Sequence, residues 1–132
     1  MKVTKAQYEK WNGQLGKGWV LDLQDLVVWG EKKPRIYENI SEKQKVEYSL
    51  TYMEVWEEHR FTGFYDIRLT KRVWTKSDAS DCWSTSGLGC TKIIASKATN
   101  KKLFKNLAEF TKLHTLEDCK AMFTGNEVNP MA

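Results

Sequence analysis

Apolar and polar residues alternate most regularly between Val46 and Trp74, in two runs that a short polar stretch joins. In each run one parity is apolar or aromatic and the other is polar, which is typical of a strand with one buried face. The apolar parities are Val46, Tyr48, Leu50, Tyr52 and Trp56 in the first run, and Phe61, Tyr65, Ile67, Leu69 and Val73 in the second. Gly63 lies close to the junction, so the two runs predict a long antiparallel hairpin over residues 46–74.

The amino-terminal third shows weaker signals. Residues 4–7, Thr-Lys-Ala-Gln, form a capping box, and apolar residues at helical spacing continue to Leu15, so a short helix is predicted there. Residues 19–23 and 26–29 predict two short strands or one bent strand. Residues 30–35 predict a loop, because proline disfavours a helical conformation in the residue before it.

Beyond the hairpin, residues 76–89 are rich in Ser, Asp and Gly and predict a long loop, and residues 90–97 predict a further strand. Thr99 or Asn100 is the predicted cap of a helix that runs to about residue 113. Thr115 is the predicted cap of a second helix that ends near Gly125. The apolar side of the first of these helices is predicted to hold Leu103, Leu107, Phe110 and Leu113.

This order of elements predicts an α+β domain. An antiparallel sheet of about five strands carries the N-terminal helix and two C-terminal helices on one face, and an all-β barrel with helical decoration is the alternative. The length of 132 residues fits one domain over residues 1–132, and residues 126–132 are expected to form a loose tail.

The cysteines, Cys82, Cys90 and Cys119, are three in number and lack a Cys-x-x-Cys pair. A secreted disulfide framework would have an even count, so reduced thiols in an intracellular protein are expected. Zinc motifs bring two ligands within a few residues of each other, so neither a metal nor a cofactor is predicted. No apolar run approaches a membrane span and no hydrophobic leader is present, which predicts a cytoplasmic protein without a membrane partner.

Positive charge is concentrated in one third of the chain. Residues 70–114 hold nine Lys and Arg against three acids, whereas the whole chain has a net charge of +4. A local positive field of this kind suits a nucleic-acid-binding protein, and a solvated surface is the plainer interpretation. The basic residues assigned to nucleic-acid binding, together with an aromatic sheet face, are Lys92, Lys97, Lys101 and Lys105.

The densest set of ionisable groups is Glu54, Glu57, Glu58, His59 and Arg60. Paired carboxylates beside a histidine can divide acid and base roles, so a small enzyme with a Glu/His site is one hypothesis. A solvated hairpin tip explains the same residues without any chemistry. No catalytic residue is assigned, and the protein is predicted not to be an enzyme.

Aromatic and basic residues are interleaved in the second run, and Trp83 lies on the loop after it. Trp and Arg side chains dominate protein-protein hot spots, so the leading prediction is a non-enzymatic binding module that recognises a protein partner. Small, basic single domains of this character suit an accessory protein of a phage or mobile element, such as an inhibitor of a host factor. The residues assigned to partner binding are Trp83, Trp74, Phe64, Arg68 and Arg72.

Overall fold

The predicted hairpin forms the centre of the sheet in the computed structural model, which describes residues 3–79, 82–85 and 89–123, with the backbone alone for residues 95–97 and 100. The described helices are α1 (Lys5–Asn12), α2 (Leu103–Leu113) and α3 (Leu116–Met122). The described strands are β1 (Val20–Leu21), β2 (Pro34–Ser41), β3 (Gln44–Glu57), β4 (Arg60–Lys76), β5 (Trp83–Thr85) and β6 (Cys90–Thr99).

The strands form one curled antiparallel sheet in the order β1-β2-β3-β4-β5, and β6 also pairs with β4. With one N-terminal and two C-terminal helices, this architecture confirms the predicted α+β class. The predicted tail, residues 126–132, lies outside the described residues. No helix in the described ranges is long and apolar enough to cross a membrane.

One face of the sheet holds the hydrophobic core. Leu50 of β3 lies directly opposite Leu69 of β4, and both side chains are completely buried. Leu103 and Leu107 of α2 pack onto this face, and Phe123, just after α3, contacts the ring of Tyr48. The helices therefore cover the face on which the apolar parity of the hairpin lies, as the alternation predicts.

Two capping boxes begin the first and last helices. The hydroxyl of Thr4 accepts from the amide of Gln7, and the hydroxyl of Thr115 accepts from the amide of Asp118. In both cases the second side chain bonds back to the amide of the first residue, which satisfies two backbone donors that a helix start leaves exposed. Helix α1 ends at Asn12, earlier than the predicted Leu15.

The strand predicted over residues 26–29 is wrong. Asp25–Trp29 form a single π-helical turn, which is hereafter called the π turn. The carboxylate of Asp22 accepts from the amides of Gln24 and Asp25 ahead of the turn, and Gly30 ends it with a φ of 67°. Local hydrogen bonds and a left-handed glycine thus override the β propensity of the valines and Trp29.

Two strands were not predicted from the sequence, and the first two residues of β2 and the whole of β5 lie in stretches predicted as loops. β2 begins at Pro34, and a proline is tolerated there because the first residue of a strand need not donate to the ladder. β5 lies within the stretch predicted as a loop over residues 76–89, and it pairs with the end of β4. Both strands pair antiparallel with neighbours whose positions the local sequence does not reveal.

The buried face of α2 is rotated from the predicted one. Leu103 and Leu107 are buried, but Leu113 is 75% exposed. Phe110 is only half-buried at the core, where it packs edge-on against Trp19 and flat on His114. The buried side instead includes Ala108 and Thr111, whose hydroxyl bonds the carbonyl of Ala108.

Candidate functional site

The tip of the central hairpin is a two-residue turn. Glu57 pairs with Arg60, so that Glu58 and His59 form the turn, with φ values of 49° and 66°. Positive φ at both central residues is the type I′ geometry that matches the twist of the flanking strands. Both side chains are exposed, and Glu54 lies further down β3 opposite Tyr65. Glu58 and His59 therefore occupy a solvent-facing turn, and Glu54 lies further along the hairpin, outside that turn.

Just below the tip, β4 contains a bulge. Tyr65 pairs with Glu54 and Phe61 pairs with Trp56, so four steps along β4 match only two along β3. Gly63 adopts a φ of 85°, and the hydroxyl of Thr62 donates to the carbonyl of Val55 at 2.7 Å. Extra residues in one strand bend it and redirect its side chains. The bulge therefore decides which aromatic rings meet at the end of the hairpin.

Four aromatic rings stack in sequence toward the tip, and we call them the aromatic ladder: Tyr52, Tyr65, Phe61 and Trp56. The centroids of Tyr52 and Tyr65 are 5.8 Å apart, with their planes at 85° to each other. Phe61 lies 5.5 Å from Tyr65 and 5.9 Å from Trp56. The first two pairs are edge-on, with planes at 85° and 72°, and such pairs stabilise each other beyond simple burial, while Trp56 and Phe61 are tilted by 36°. The ladder thus continues the apolar face of the hairpin toward its tip, beyond the part that the helices cover.

The outer half of the ladder faces solvent. Trp56 is 59% exposed and Phe61 is 40% exposed, whereas Tyr52 and Tyr65 are half-buried. Beside the ladder lies an open cavity of about 700 Å³, which we call the hairpin groove. The groove is lined by Glu31, Tyr52, Met53, Glu54, Trp56 and Tyr65. Glu31 follows the π turn by two residues, and Trp29, the last residue of that turn, is 70% exposed.

The groove is acidic. Burial raises the pKa of Tyr52, and the negative charge of Glu31 raises it further, so the phenol stays protonated and neutral. Glu31 pairs with Lys33, while Glu54 forms no ion pair with any of the described residues. The groove therefore combines exposed aromatic surface with an uncompensated carboxylate, a combination that attracts cations rather than phosphates.

The opposite face of the sheet carries several of the predicted binding residues, and we call it the open face. Register places Arg68, Arg72 and Trp74 on this face, opposite Thr51, Glu47 and Lys45. The three side chains are half-buried, and the Nε atoms of both arginines and the indole N–H of Trp74 have no hydrogen-bond partner among the described residues. Their role in binding stays a prediction.

Glu47 is the buried charge of the open face, at 1% exposure. Its carboxylate accepts from Arg35 at 2.9 Å and from the hydroxyl of Tyr37 at 3.2 Å. Burial alone would lower the pKa of the Arg35 guanidinium. The nearby carboxylates of Glu47, Asp22 and Asp25 outweigh that effect, and the pKa is raised. This cluster joins β2, β3 and the π turn, and its geometry is that of a structural ion network.

Trp83 does not project freely from a loop. Its ring lies 4.5 Å from the ammonium of Lys45 and 5.7 Å from that of Lys76, and the residue is half-buried on β5. These cation-π contacts hold the indole against the end of the sheet. Trp83 therefore packs at the edge of the sheet. Its assignment to partner binding stays a prediction.

The remaining assigned residues lie apart from one another. Phe64, at 38% exposure, pairs with Thr99 beyond the bulge. Lys92 lies on the helix-covered face, where its ammonium donates to the carbonyl of Met122 and lies over the ring of Phe123. Lys101 and Lys105 project from the exposed side of α2 and the turn before it, and the side chain of Lys97 lies outside the described residues. The basic residues thus do not form one surface with Arg68 and Arg72.

The three cysteines differ in their exposure. Cys119 is buried, Cys90 is half-buried and Cys82 is exposed. Burial raises the pKa of the Cys119 thiol to about 11. Within those ranges no group of three or more His, Cys, Asp or Glu side chains is placed to hold a metal ion.

Sequence reasoning assigned Trp56 and Tyr65 to the buried parity and so missed the groove. A usable signal was present, because the aromatic residues at 52, 56, 61 and 65 continue the core parity from the aliphatic residues of each run toward the junction of the two runs. Comparisons with protein-family models, with curated proteins and with solved structures found no match for this chain.

Proposed function

We propose that this protein is a non-enzymatic binding module that recognises a protein partner through the hairpin groove. The observation that carries the proposal is the exposure of Trp56 and Phe61 at the outer end of the aromatic ladder. Exposed, contiguous aromatic surface is costly in water and is characteristic of protein interaction sites.

The surroundings of the ladder support the same function. Met53 is 54% exposed at the groove, and Met is enriched in interface cores. The acidic residues Glu31 and Glu54 lie among these apolar groups, as polar residues do at the rim of an interface. An inhibitory role toward a host factor stays a prediction from the general character of the sequence.

Charge favours a protein over a nucleic acid at this groove. Nucleic acids bind through their phosphates, and the carboxylates of Glu31 and Glu54 repel phosphates. The basic groups that would attract them are divided between the open face, the helix-covered face and the outer side of α2. Nucleic-acid binding is therefore the weaker alternative.

Affinity capture with matched variants tests the proposal. The bait is the tagged full chain, and the lysate comes from the organism that encodes it, with and without nuclease. The groove variant combines Trp56→Ala with Phe61→Ala, and the control is Leu113→Ala, which removes an exposed apolar side chain from α2. Circular dichroism checks that each variant is folded.

We expect the wild type and the Leu113 variant to capture one protein both with and without nuclease. The groove variant should not capture that protein. Binding of the purified pair should then weaken at least about tenfold with the groove variant, as truncation of hot-spot residues does. Retention of that protein by the groove variant, or a capture that disappears with nuclease, would overturn the proposal.

A further inference from the structure

We infer that the hairpin groove takes a lysine or arginine side chain from an exposed segment of the partner, an inference that rests on the proposed function. The cation would lie against the rings of the aromatic ladder and pair with the carboxylate of Glu54. The groove offers both halves of this recognition, since Tyr52, Trp56 and Tyr65 line it together with Glu31 and Glu54.

The chain already uses aromatic pairs in this way for its own lysines. The ammonium of Lys32 lies 4.2 Å from the centroid of Trp11 and 5.0 Å from that of Phe104. The ammonium of Lys45 lies 4.8 Å from Tyr37 and 4.5 Å from Trp83. Two rings around one ammonium is thus a recurrent arrangement in this fold.

The aromatic ladder holds no such cation from the described residues. None of the described lysines or arginines lies over the rings of Tyr52, Trp56, Phe61 or Tyr65. The ladder is also the group with exposed ring surface, through Trp56 and Phe61. An external cation can therefore reach ring faces that internal lysines leave unoccupied.

The carboxylates of the groove favour a partner side chain that carries a positive charge. Glu54 lies opposite Tyr65 on the same face and has no ion-pair partner among the described side chains. An apolar guest side chain would desolvate Glu54 without replacing its water, whereas an ammonium or guanidinium would pair with it. Charge complementarity thus favours a basic segment over a purely apolar one.

Two matched probes test this inference independently of the natural partner. One is a blocked alanine-lysine-alanine tripeptide, and the other replaces lysine with norleucine, which has a similar length and no charge. The readout is the indole N–H signal of Trp56 in heteronuclear NMR spectra, assigned by its loss in Trp56→Phe. Glu54→Gln removes the groove carboxylate, and Glu9→Gln removes an exposed carboxylate from α1 as the control.

We expect the lysine probe to bind about fivefold more tightly than the norleucine probe, which is the scale of an exposed cation-π contact plus a charge pair. Glu54→Gln should weaken the lysine probe about threefold and leave the norleucine probe unchanged, while Glu9→Gln changes neither. Equal affinities, or no shift of the Trp56 signal with the lysine probe, would overturn the inference. The capture experiment decides the proposed function separately, because a partner lost with the Trp56 and Phe61 variant would still identify the groove as the docking surface.

Discussion

The rings of Phe61 and Tyr65 lie 5.5 Å apart although the two residues are four positions apart along one strand. In a regular strand, four steps place two side chains about 13 Å apart. The bulge around Gly63 shortens that distance and turns both rings to one side. Tyr65 is thereby linked to the exposed end of the hairpin, and without the bulge the aromatic ladder would be interrupted.

Gly63→Ala tests the role of the bulge. The φ of 85° is unfavourable for a residue with a Cβ even though open space surrounds the position, so we expect a loss of about 1–2 kcal/mol in the free energy of unfolding. Gly13→Ala is the matched control, because Gly13 has a φ of −64° and should change stability by less than about 0.5 kcal/mol. Urea denaturation of both variants measures the difference, and equal stabilities would show that the bulge does not need the glycine.

Two leucines of α2 test the packing of that helix. Leu107 is 1% exposed in the core, so Leu107→Ala should cost about 2–5 kcal/mol through lost burial and the cavity left behind. Leu113 is 75% exposed, so Leu113→Ala should change stability by no more than about 0.5 kcal/mol. The comparison uses chemical denaturation of both variants. A loss below about 1 kcal/mol for Leu107→Ala would mean that α2 does not cover the core face.

The contribution of the open-face ion network to stability should depend strongly on Arg35. Arg35→Met leaves the buried carboxylate of Glu47 without its guanidinium, and we expect a loss of about 3–5 kcal/mol. Lys33→Met removes the partner of Glu31 at a more accessible site and should cost less than about 1 kcal/mol. Thermal and urea unfolding should rank the two variants in that order, and a near-neutral Arg35→Met would contradict the assigned network.

The buried thiol of Cys119 predicts both a reactivity and a pH effect. A raised pKa means that the folded state holds the proton more tightly, so stability is fully present below the unfolded pKa of 9.0 and falls as pH rises toward about 11. Cys119→Ala should flatten the fall in stability over that range. At pH 8 a thiol reagent should modify Cys82 first and leave Cys119 unmodified.

Titration of the denatured, unreduced protein should report three thiols. A single reactive group would indicate a disulfide and would contradict the expectation of reduced cysteines. Fast modification of Cys119 in the native protein would show that the core around α3 opens readily.

Local sequence rules predicted the parts of the fold that depend on near neighbours. Residues 46–74 were recognised as a hairpin because one face of each strand is buried, and Thr4 and Thr115 were recognised as caps because the capping box spans only four residues. The π turn was missed because its causes are the side-chain hydrogen bonds of Asp22 and the φ of Gly30. Strand β2 was missed because its pairing with β3 is a tertiary relationship.

The candidate site shows the same division. Arg68, Arg72 and Trp74 share a face, as their parity in the sequence predicts. Trp83 lies between two lysines, and the exposed aromatic surface forms at the hairpin end instead. The bulge changes the register between Glu54 and Trp56, and no parity rule contains that offset.

Site-specific photocrosslinking is the most direct test of whether the hairpin groove binds a protein, because it reports both where a partner binds and what class of molecule it is. The full chain is expressed in its host with p-benzoylphenylalanine in place of Phe61, of Trp74 on the open face, or of Leu113 on α2. If a protein partner binds at the hairpin groove, position 61 should give a strong crosslink to one protein, and positions 74 and 113 should give none. A crosslink to nucleic acid, or a protein crosslink from position 74 and not from position 61, would contradict it.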